Sequence, residues 1–231
     1  MISLGLDTSG AACAVAIWKN KKPLSVSKKD LFQGYSEVLL PMILSDLSEL
    51  NLTFQDIDVI GVATGPGSFT GLRTGLAAAR GLSLALGCGL IGVSTFDLVA
   101  IDIAKKSTAD LDKRTLWIII NARRSDFFVQ KYQVKDGIPE CDGSPFSADA
   151  DYLGDVITGS SVVGGDGGAE MRKLKKLPPS SLVIDDARDS VAKILAEIAA
   201  SSEKNIRQEV RPLYVSQPQA KLPRNGGQLR S

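Results

Sequence analysis

The chain has 231 residues, which is long enough to bury a sizeable core in one large domain or two small ones. Its composition, 44% hydrophobic and 23% charged, is ordinary for a globular protein, and a net charge of +1 gives no general attraction to nucleic acid or membrane. The absence of histidine excludes Ser-His-Asp and Cys-His catalysis and every His-ligated metal site.

The first half of the chain predicts three strands followed by alternating helices and strands. The elements are strands over Ile2–Leu6, Ala12–Trp18 and Leu24–Lys29, a helix over Tyr35–Leu50, a strand over Ile57–Ala63, a helix over Thr70–Leu86, a strand over Leu90–Val93 and a helix over Thr95–Lys105. Pro41 falls inside the first helix and predicts a late start or a kink there. This element order is that of the ribonuclease-H-like half found in actin, hexokinases and sugar kinases.

A polar connector over Lys105–Arg114 predicts the boundary between a lobe of residues 1–104 and a second lobe of residues 105–231. The second lobe is predicted to contain a hairpin of Leu116–Ile120 and Phe127–Val134, a helix near Ala148–Val156, strands Ser161–Val163 and Leu182–Ile184, and a helix over Ser190–Ser201. The tail from Pro212 is expected to fray. We therefore predict an actin-like α/β fold of two ribonuclease-H-like lobes, the second smaller and degenerate.

Two segments have the composition of a degenerate nucleotide site. Asp7, Thr8 and Ser9 follow the first strand, where actin-like ATPases hold phosphate and hydrated magnesium, although a plain β-turn is favoured by these residues alone. Gly165 and Gly167 follow a strand of the second lobe and either pass under an adenosine or form a loose loop. They motivate an alternative function, a stand-alone small actin-like ATPase or sugar kinase.

The segment Val62–Gly81, VATGPGSFTGLRTGLAAARG, resembles a phosphate loop only superficially. Its glycine spacing excludes a Walker A loop and a dinucleotide loop, and the residues around Ser68 exclude a nucleophile elbow. Glycines and alanines continue through the helix, and glycine inside a helix costs about 0.5–1 kcal/mol relative to alanine. We expect another backbone to approach this helix closely, either the domain's own sheet or a helix of a second protein.

Arg73 is predicted in the first turn of that helix, where the helix dipole disfavours a cation. The sequence allows several partners for this arginine: Asp7, a ligand phosphate, an acidic group of another chain, or an acid of this chain in an internal salt bridge. Basic residues also occur at Arg123 and Arg124 and in the run Arg172, Lys173, Lys175 and Lys176. A weak tRNA-binding patch is one interpretation of them, and a solvated surface is the favoured one.

Several motifs occur in the order in which the TsaB (YeaZ) family has them. They are DTS near the N-terminus, GVATGPGSFTGLRTGLAAARGL, IGVSTFD, the NARRSD hairpin and VRPLYVSQPQAKLP, and together they extend from about Ile2 to Leu222. The chain therefore resembles this family, whose members act with TsaD in making threonylcarbamoyladenosine (t6A) on tRNA. The resemblance implies an accessory subunit of the transferase complex without catalytic residues or a bound metal.

The family's pairing with TsaD, through the first two helices, implies the partners of this chain. The implied surface lies on Tyr35–Leu47 and Phe69–Ala85, with the candidate residues Ser36, Leu39, Leu40, Ile43, Leu47, Gly71, Arg73, Thr74, Gly75, Ala78 and Leu82. TsaE, an ATPase, is expected to join the pair, and a homodimer to form when TsaD is absent. Binding of tRNA is expected only through the complex. No cofactor is predicted, while ATP or ADP at a subunit boundary is left open.

The chain departs from the family pattern at Tyr35, where many relatives have histidine, and at Asn121, where aspartate is common. Both changes make independent catalysis less plausible. The N-terminus lacks the features of a signal peptide, and Cys13, Cys88 and Cys141 are widely spaced without a CxxC pair. A cytoplasmic protein without a membrane segment is therefore expected.

Overall fold

The computed structural model describes residues 1–31, 33–107, 110–112, 114–122, 126–184, 191–203, 206 and 208–215. Two β-sheets form its framework. The first has the strand order β3-β2-β1-β4-β5, and the second has the order β11-β10-β6-β7-β8 with β9 also paired to β7. The actin-like α/β prediction of two sheet-based lobes agrees with this topology.

The first half contains β1 (Ile2–Asp7), β2 (Ala12–Lys19), β3 (Lys22–Asp30), α1 (Tyr35–Glu49), a 3-10 turn (Phe54–Asp56), β4 (Val59–Ala63), α2 (Phe69–Leu86), β5 (Gly89–Val93) and α3 (Thr95–Lys106). The predicted antiparallel meander is formed by β1, β2 and β3. The buried strands β4 and β5 continue the sheet in parallel to β1, so their carboxyl ends lie at one edge. Helix α1 begins at Tyr35 despite Pro41, which lies on its exposed side.

The second half contains β6 (Thr115–Asn121), β7 (Asp126–Lys135), β8 (Ile138–Cys141), β9 (Phe146–Asp149), α4 (Ala150–Val156), β10 (Val162–Gly164), α5 (Asp166–Lys173), β11 (Leu182–Ile184) and α6 (Val191–Ser201). The short strands β8 and β9 were not predicted. Helix α5 was not predicted either, because its first turn includes Gly167 and Gly168, which are poor helix formers.

Helix α6 belongs to the predicted second lobe, yet it packs on the first sheet. Gly5 and Gly61 are neighbours in the parallel register of β1 and β4, and the helix backbone lies directly over both. A Cβ at Gly5 would lie 2.1 Å from the carbonyl oxygen of Ala192, and the Ser3 hydroxyl donates a 2.6 Å hydrogen bond to the carbonyl of Ala196. The second half therefore returns to the first, while the boundary at residue 104 stays a prediction.

The segment from Gln208 to Val215 runs along the β5 edge of the first sheet. The Gln208 amide donates to the Leu90 carbonyl at 3.0 Å, and the Leu213 amide donates to the Thr64 carbonyl at 2.8 Å. Val210 is buried, and its side chain lies against Gly92. Pro212 to Val215 are thus attached to the fold rather than frayed, and the rest of the predicted frayed tail, residues 216–231, lies outside the described residues.

Candidate functional site

The DTS segment after β1 is a closed turn. Asp7, Thr8 and Ser9 are all buried, and the Asp7 carboxylate accepts hydrogen bonds from the Ser9 amide at 2.8 Å and the Ser9 hydroxyl at 2.6 Å. The Thr8 hydroxyl donates to the Gly71 carbonyl at 2.7 Å. The Asp7 carboxylate thus closes the turn, as the favoured β-turn interpretation predicts, while the Thr8 hydroxyl ties the turn to α2.

Glycines of the following loop and of α2 pack directly on this turn. A Cβ at Gly67 would lie 2.0 Å from the Ser9 carbonyl oxygen, and one at Gly71 would lie 2.0 Å from that of Thr8. One turn further along α2, a Cβ at Gly75 would lie 2.3 Å from the Thr8 hydroxyl. The close approach predicted for this helix is therefore made, at these positions, by the chain's own β1 turn.

Tyr35 fastens the same turn from the side of α1. It is buried, and its hydroxyl donates to the Gly10 carbonyl at 2.7 Å, with the Leu31 carbonyl at 3.2 Å. The Tyr35 hydroxyl thus ties the start of α1 to the chain that follows the turn. Beneath the turn, burial and then the nearby Asp7 charge raise the pKa of the Cys13 thiol to about 11, so this thiol stays protonated at neutral pH.

The second nucleotide-site candidate is also filled by the chain itself. Gly165 has a positive φ of 91° and turns the chain into α5, so the predicted glycine loop is only this turn and a helix. A Cβ at Gly165 would lie 2.3 Å from the Ile119 carbonyl oxygen, and one at Gly167 would meet the Ile119 and Phe127 side chains. At these glycines the missing side chains leave room for Ile119 of β6 and Phe127 of β7.

Asn121 ends β6 beside the start of α5. Its amide N–H donates to Asp166 Oδ1 at 3.0 Å, and its side-chain amide donates to Glu170. Asparagine thus joins two carboxylates of α5, whereas the aspartate common in the family would bring a third negative charge to this place.

The candidate partner-binding residues fall on two sides of the α1–α2 pair. Those buried in the chain's own core are Leu39, Ile43, Leu47, Gly71 and Gly75, and those partly buried between the two helices or beside them are Thr74, Ala78 and Leu82. Ser36, Leu40 and Arg73 are exposed. The buried residues build the helix pair, so only the exposed ones are available to another molecule.

An exposed apolar surface lies on the outer side of the same two helices. Leu40 and Leu44, four residues apart on α1, are exposed large apolar side chains, and α2 exposes Leu84 together with the small residues Ala77 and Gly81. Apart from the backbone of α2 itself, no atom of the described residues would lie within 4 Å of a Cβ at Gly81. The predicted pairing ranges include Leu44, Ala77, Gly81 and Leu84, but the individual candidate residues do not, because the face of α2 that turns inward depends on the position of the β1 turn.

Arg73 lies in the second turn of α2, not the first, because the helix begins at Phe69. Its guanidinium carbon stacks 3.8 Å from the centroid of the Phe69 ring. The ion pairs found among the described residues do not include Arg73. Its observed partner is thus an aromatic ring rather than the Asp7 carboxylate or another internal acid.

A polar cluster joins the start of α3 to the second sheet. Asp97 Oδ1 accepts a 2.6 Å hydrogen bond from the Tyr132 hydroxyl, and Asp97 Oδ2 accepts one of 2.6 Å from Ser94. Burial, followed by the Asp97 charge, raises the pKa of both Tyr132 and the Cys141 thiol above their ordinary values. Both groups remain protonated at neutral pH and serve this junction as neutral donors.

The predicted basic patch is only partly described. Arg123 and Arg124 lie outside the described residues. In the other basic run, Lys176 pairs with Asp151 and Arg172 donates to the Ser181 carbonyl at 3.5 Å. Within the described ranges, the structure has no group of three metal-ligating Cys, Asp or Glu side chains and no helix long and apolar enough to cross a membrane.

Comparison with known proteins first defines the class. YeaZ from Pseudomonas aeruginosa superimposes with a TM-score of 0.73 at 23% identity, covering 92% of this chain and 99% of that one. At this identity the likeness shows the fold alone. The two sheets and this likeness define an actin-like α/β protein, as the sequence predicts.

The family follows from the sequence. The family model described as TsaD, tRNA N6-adenosine threonylcarbamoyltransferase, matches residues 29–206, so the chain belongs to this family. Curated relatives named tRNA threonylcarbamoyladenosine biosynthesis protein TsaB are 33% identical over 130 residues in Escherichia coli and 30% identical over 131 residues in Buchnera aphidicola of Schizaphis graminum.

These TsaB matches are partial. They cover 56% of this chain and 54% of the E. coli protein, and 57% of this chain and 60% of the Buchnera protein. The chain thus matches little more than half the length of either relative. The predicted resemblance to TsaB (YeaZ) is nevertheless confirmed by sequence and by fold.

Proposed function

We propose that the chain is a non-catalytic scaffold or activating subunit of the cytoplasmic complex that synthesises t6A on tRNA. In this proposal it pairs with TsaD through the outer side of α1 and α2 and recruits TsaE. It forms a homodimer through the same side when TsaD is absent, and it contacts tRNA only through the complex. The names of the TsaB relatives and the matching TsaD family model support this assignment.

The observation that supports pairing most directly is the outer surface of α1 and α2. An exposed glycine in a helix interior costs stability, and among the described residues no atom lies close enough to Gly81 to require glycine there. Leu84 lies three residues further along the same helix and is exposed, as are Leu40 and Leu44 of α1. A partner helix that crosses at Gly81 would cover these leucines and approach the α2 backbone closely.

The hydrogen bonding and packing of the nucleotide-site-like segments support a non-catalytic role. The Asp7 carboxylate accepts hydrogen bonds from Ser9, and Gly71 and Gly75 pack closely on Thr8. Histidine, the usual general base at neutral pH, is missing from the sequence. These features favour an accessory subunit over the alternative, a stand-alone ATPase or sugar kinase.

The experiment is reconstitution of t6A synthesis from TsaD, TsaE, tRNA, ATP and the threonylcarbamoyl donor, with and without this chain. We expect modification to depend on the chain. The Leu44→Glu variant, which places a charge on the proposed surface, should lower modification at limiting subunit concentration by more than about tenfold. Leu174→Glu is the matched control, because Leu174 is 50% exposed and Leu44 is 52% exposed, and it should leave modification unchanged.

Modification that proceeds equally well without the chain would contradict the proposal. Equal loss with Leu44→Glu and Leu174→Glu would contradict the proposed surface instead. Circular dichroism of both variants checks that each remains folded.

A further inference from the structure

Three side chains from two separate segments meet at the N-terminal end of α2. The Arg73 guanidinium stacks on the Phe69 ring, and the Phe69 ring lies 6.3 Å from the Tyr214 ring, centroid to centroid, at an interplanar angle of 40°. Phe69 is 54% exposed and Tyr214 is 51% exposed. We call Phe69, Arg73 and Tyr214 the aromatic cluster.

Tyr214 is held in place by the segment that precedes it. Arg80 of α2 donates from its guanidinium to the Val210 carbonyl, and Val210 is buried. The Leu213 amide then donates to the Thr64 carbonyl at 2.8 Å. These bonds hold the C-terminal segment against α2 and the end of β4, so the backbone next to Tyr214 is anchored within the chain itself.

The aromatic cluster is continuous with the outer surface of α2. Phe69, Arg73, Ala77 and Gly81 are spaced by four residues, so they form one line along the helix, and all are exposed. The line therefore runs from an aromatic and cationic end to the small residues at Ala77 and Gly81. A partner helix seated at Gly81 would extend over the cluster at one end.

The charges at this end favour a single carboxylate as the ligand. Arg73 forms none of the ion pairs among the described residues, whereas Arg211 pairs with Glu209 and the Arg80 guanidinium donates to the Val210 carbonyl. The planar guanidinium of Arg73 matches the geometry of one carboxylate, which it can bind through two parallel hydrogen bonds. An arginine restrained by an aromatic ring loses little side-chain entropy when it binds an acid, and arginine and tyrosine are enriched among interface residues that dominate affinity.

We propose that the aromatic cluster is the third part of the pairing surface, so that the C-terminal segment contributes to pairing together with α1 and α2. Arg73 binds a carboxylate of TsaD, and the Phe69 and Tyr214 rings pack on the apolar side chains beside that carboxylate. This inference rests on the proposed function and deepens it by naming the chemistry that the partner must present.

The test is calorimetric titration of TsaD with the full chain and three variants. Arg73→Glu reverses the charge and should weaken binding by more than about 30-fold, and Tyr214→Ala should weaken it by about fivefold. Arg211→Glu is the matched control, since it makes the same charge change at an exposed residue outside the cluster, on the C-terminal segment that carries Tyr214. It should bind within about twofold of wild type, and thermal unfolding confirms that all variants are folded.

The outcomes separate this inference from the proposed function. A wild-type chain that does not bind TsaD overturns both. If the wild-type chain binds TsaD and both Arg73→Glu and Tyr214→Ala bind equally well, the role of the cluster alone is overturned. The same holds if Arg211→Glu weakens binding as much as Arg73→Glu does. Unchanged TsaD binding by Arg73→Glu combined with weaker tRNA binding in a gel shift would assign the cluster to nucleic acid and also overturn the inference.

Discussion

The glycines of α2 lie on two sides of one helix and differ in what surrounds them. Gly71 and Gly75 face the β1 turn, where a side chain would enter the space of Thr8. Gly81 faces outward and has open space around it. The inner glycines are required by the fold of this chain, while the outer one has no such requirement, which is why only the outer side is proposed to meet a partner. The small residues of α2 thus have two explanations: packing against the β1 turn on the inner side and the proposed contact with a partner on the outer side.

Of the substitutions that test this difference between the two sides of α2, Gly71→Ala is expected to change stability most. The added Cβ would lie 2.0 Å from the Thr8 carbonyl oxygen, and backbone atoms cannot move aside cheaply. We expect the free energy of unfolding to fall by about 3 kcal/mol, at the upper end of the usual cost of overpacking. Urea unfolding followed by circular dichroism measures it. A cost below that of an ordinary surface substitution would show that the turn and helix are packed loosely.

Gly81→Ala is the matched control for that substitution. The new methyl group meets no atom, and alanine is favoured over glycine in a helix, so the free energy of unfolding should rise by about 0.5–1 kcal/mol. The same chemical change then has opposite signs on the two sides of α2. If both variants lose stability, Gly81 is also part of the chain's own packing.

A smaller loss of stability is expected from Asp7→Ala, which tests the closed turn under α2. The substitution leaves the buried amide and hydroxyl of Ser9 without their acceptor, so the free energy of unfolding should fall by about 1–2 kcal/mol. Calorimetry with ATP should give no heat of binding at this site in the wild-type chain. Micromolar nucleotide binding that Asp7→Ala abolishes would instead support the ATPase alternative.

The smallest effect is expected at Asp46, on the inner side of α1. Burial raises the pKa of its carboxyl above the ordinary value, against the hydrogen bonds from Ser27 and Ser25. Because the folded-state pKa exceeds the unfolded one, the stability contributed by Asp46 is complete below the unfolded pKa and is lost as the pH rises through the folded pKa.

Asp46→Asn removes this titration and keeps an acceptor for Ser27. The variant should therefore gain stability relative to wild type on going from pH 3 to pH 7, by less than about 1 kcal/mol. Urea unfolding of both proteins at the two pH values measures the difference. An equal difference at pH 3 and pH 7 would mean that the carboxyl titrates alike in the folded and unfolded chain.

The elements of the first half were predictable because their patterns are local. Apolar periodicity in α1 and alternation in β2 depend only on neighbouring residues, and their observed bounds lie close to the predicted ones. Helix α5 was not predictable in this way, because Gly167 is favoured there by packing against Ile119 and Phe127, which are distant in sequence.

The same limit applies to the candidate site. The sequence indicated that α2 is approached closely, but the inward direction of Gly71 and Gly75 depends on the β1 turn, more than sixty residues earlier. The stacking of Arg73 on Phe69 is local, at a spacing of four residues, and was in principle predictable. The contribution of Tyr214 was not, since it depends on where the C-terminal segment returns to the fold.

The most direct test of the outer side of α2 is the affinity of Gly81→Leu for TsaD, measured by calorimetry alongside urea unfolding. Leucine has open space in this chain, so the variant should remain as stable as wild type, while it should prevent close approach of a partner helix. We expect an affinity at least about 30-fold weaker than that of wild type. Wild-type affinity in the folded variant would contradict the account, because the binding of TsaD would then not depend on the absence of a side chain at Gly81.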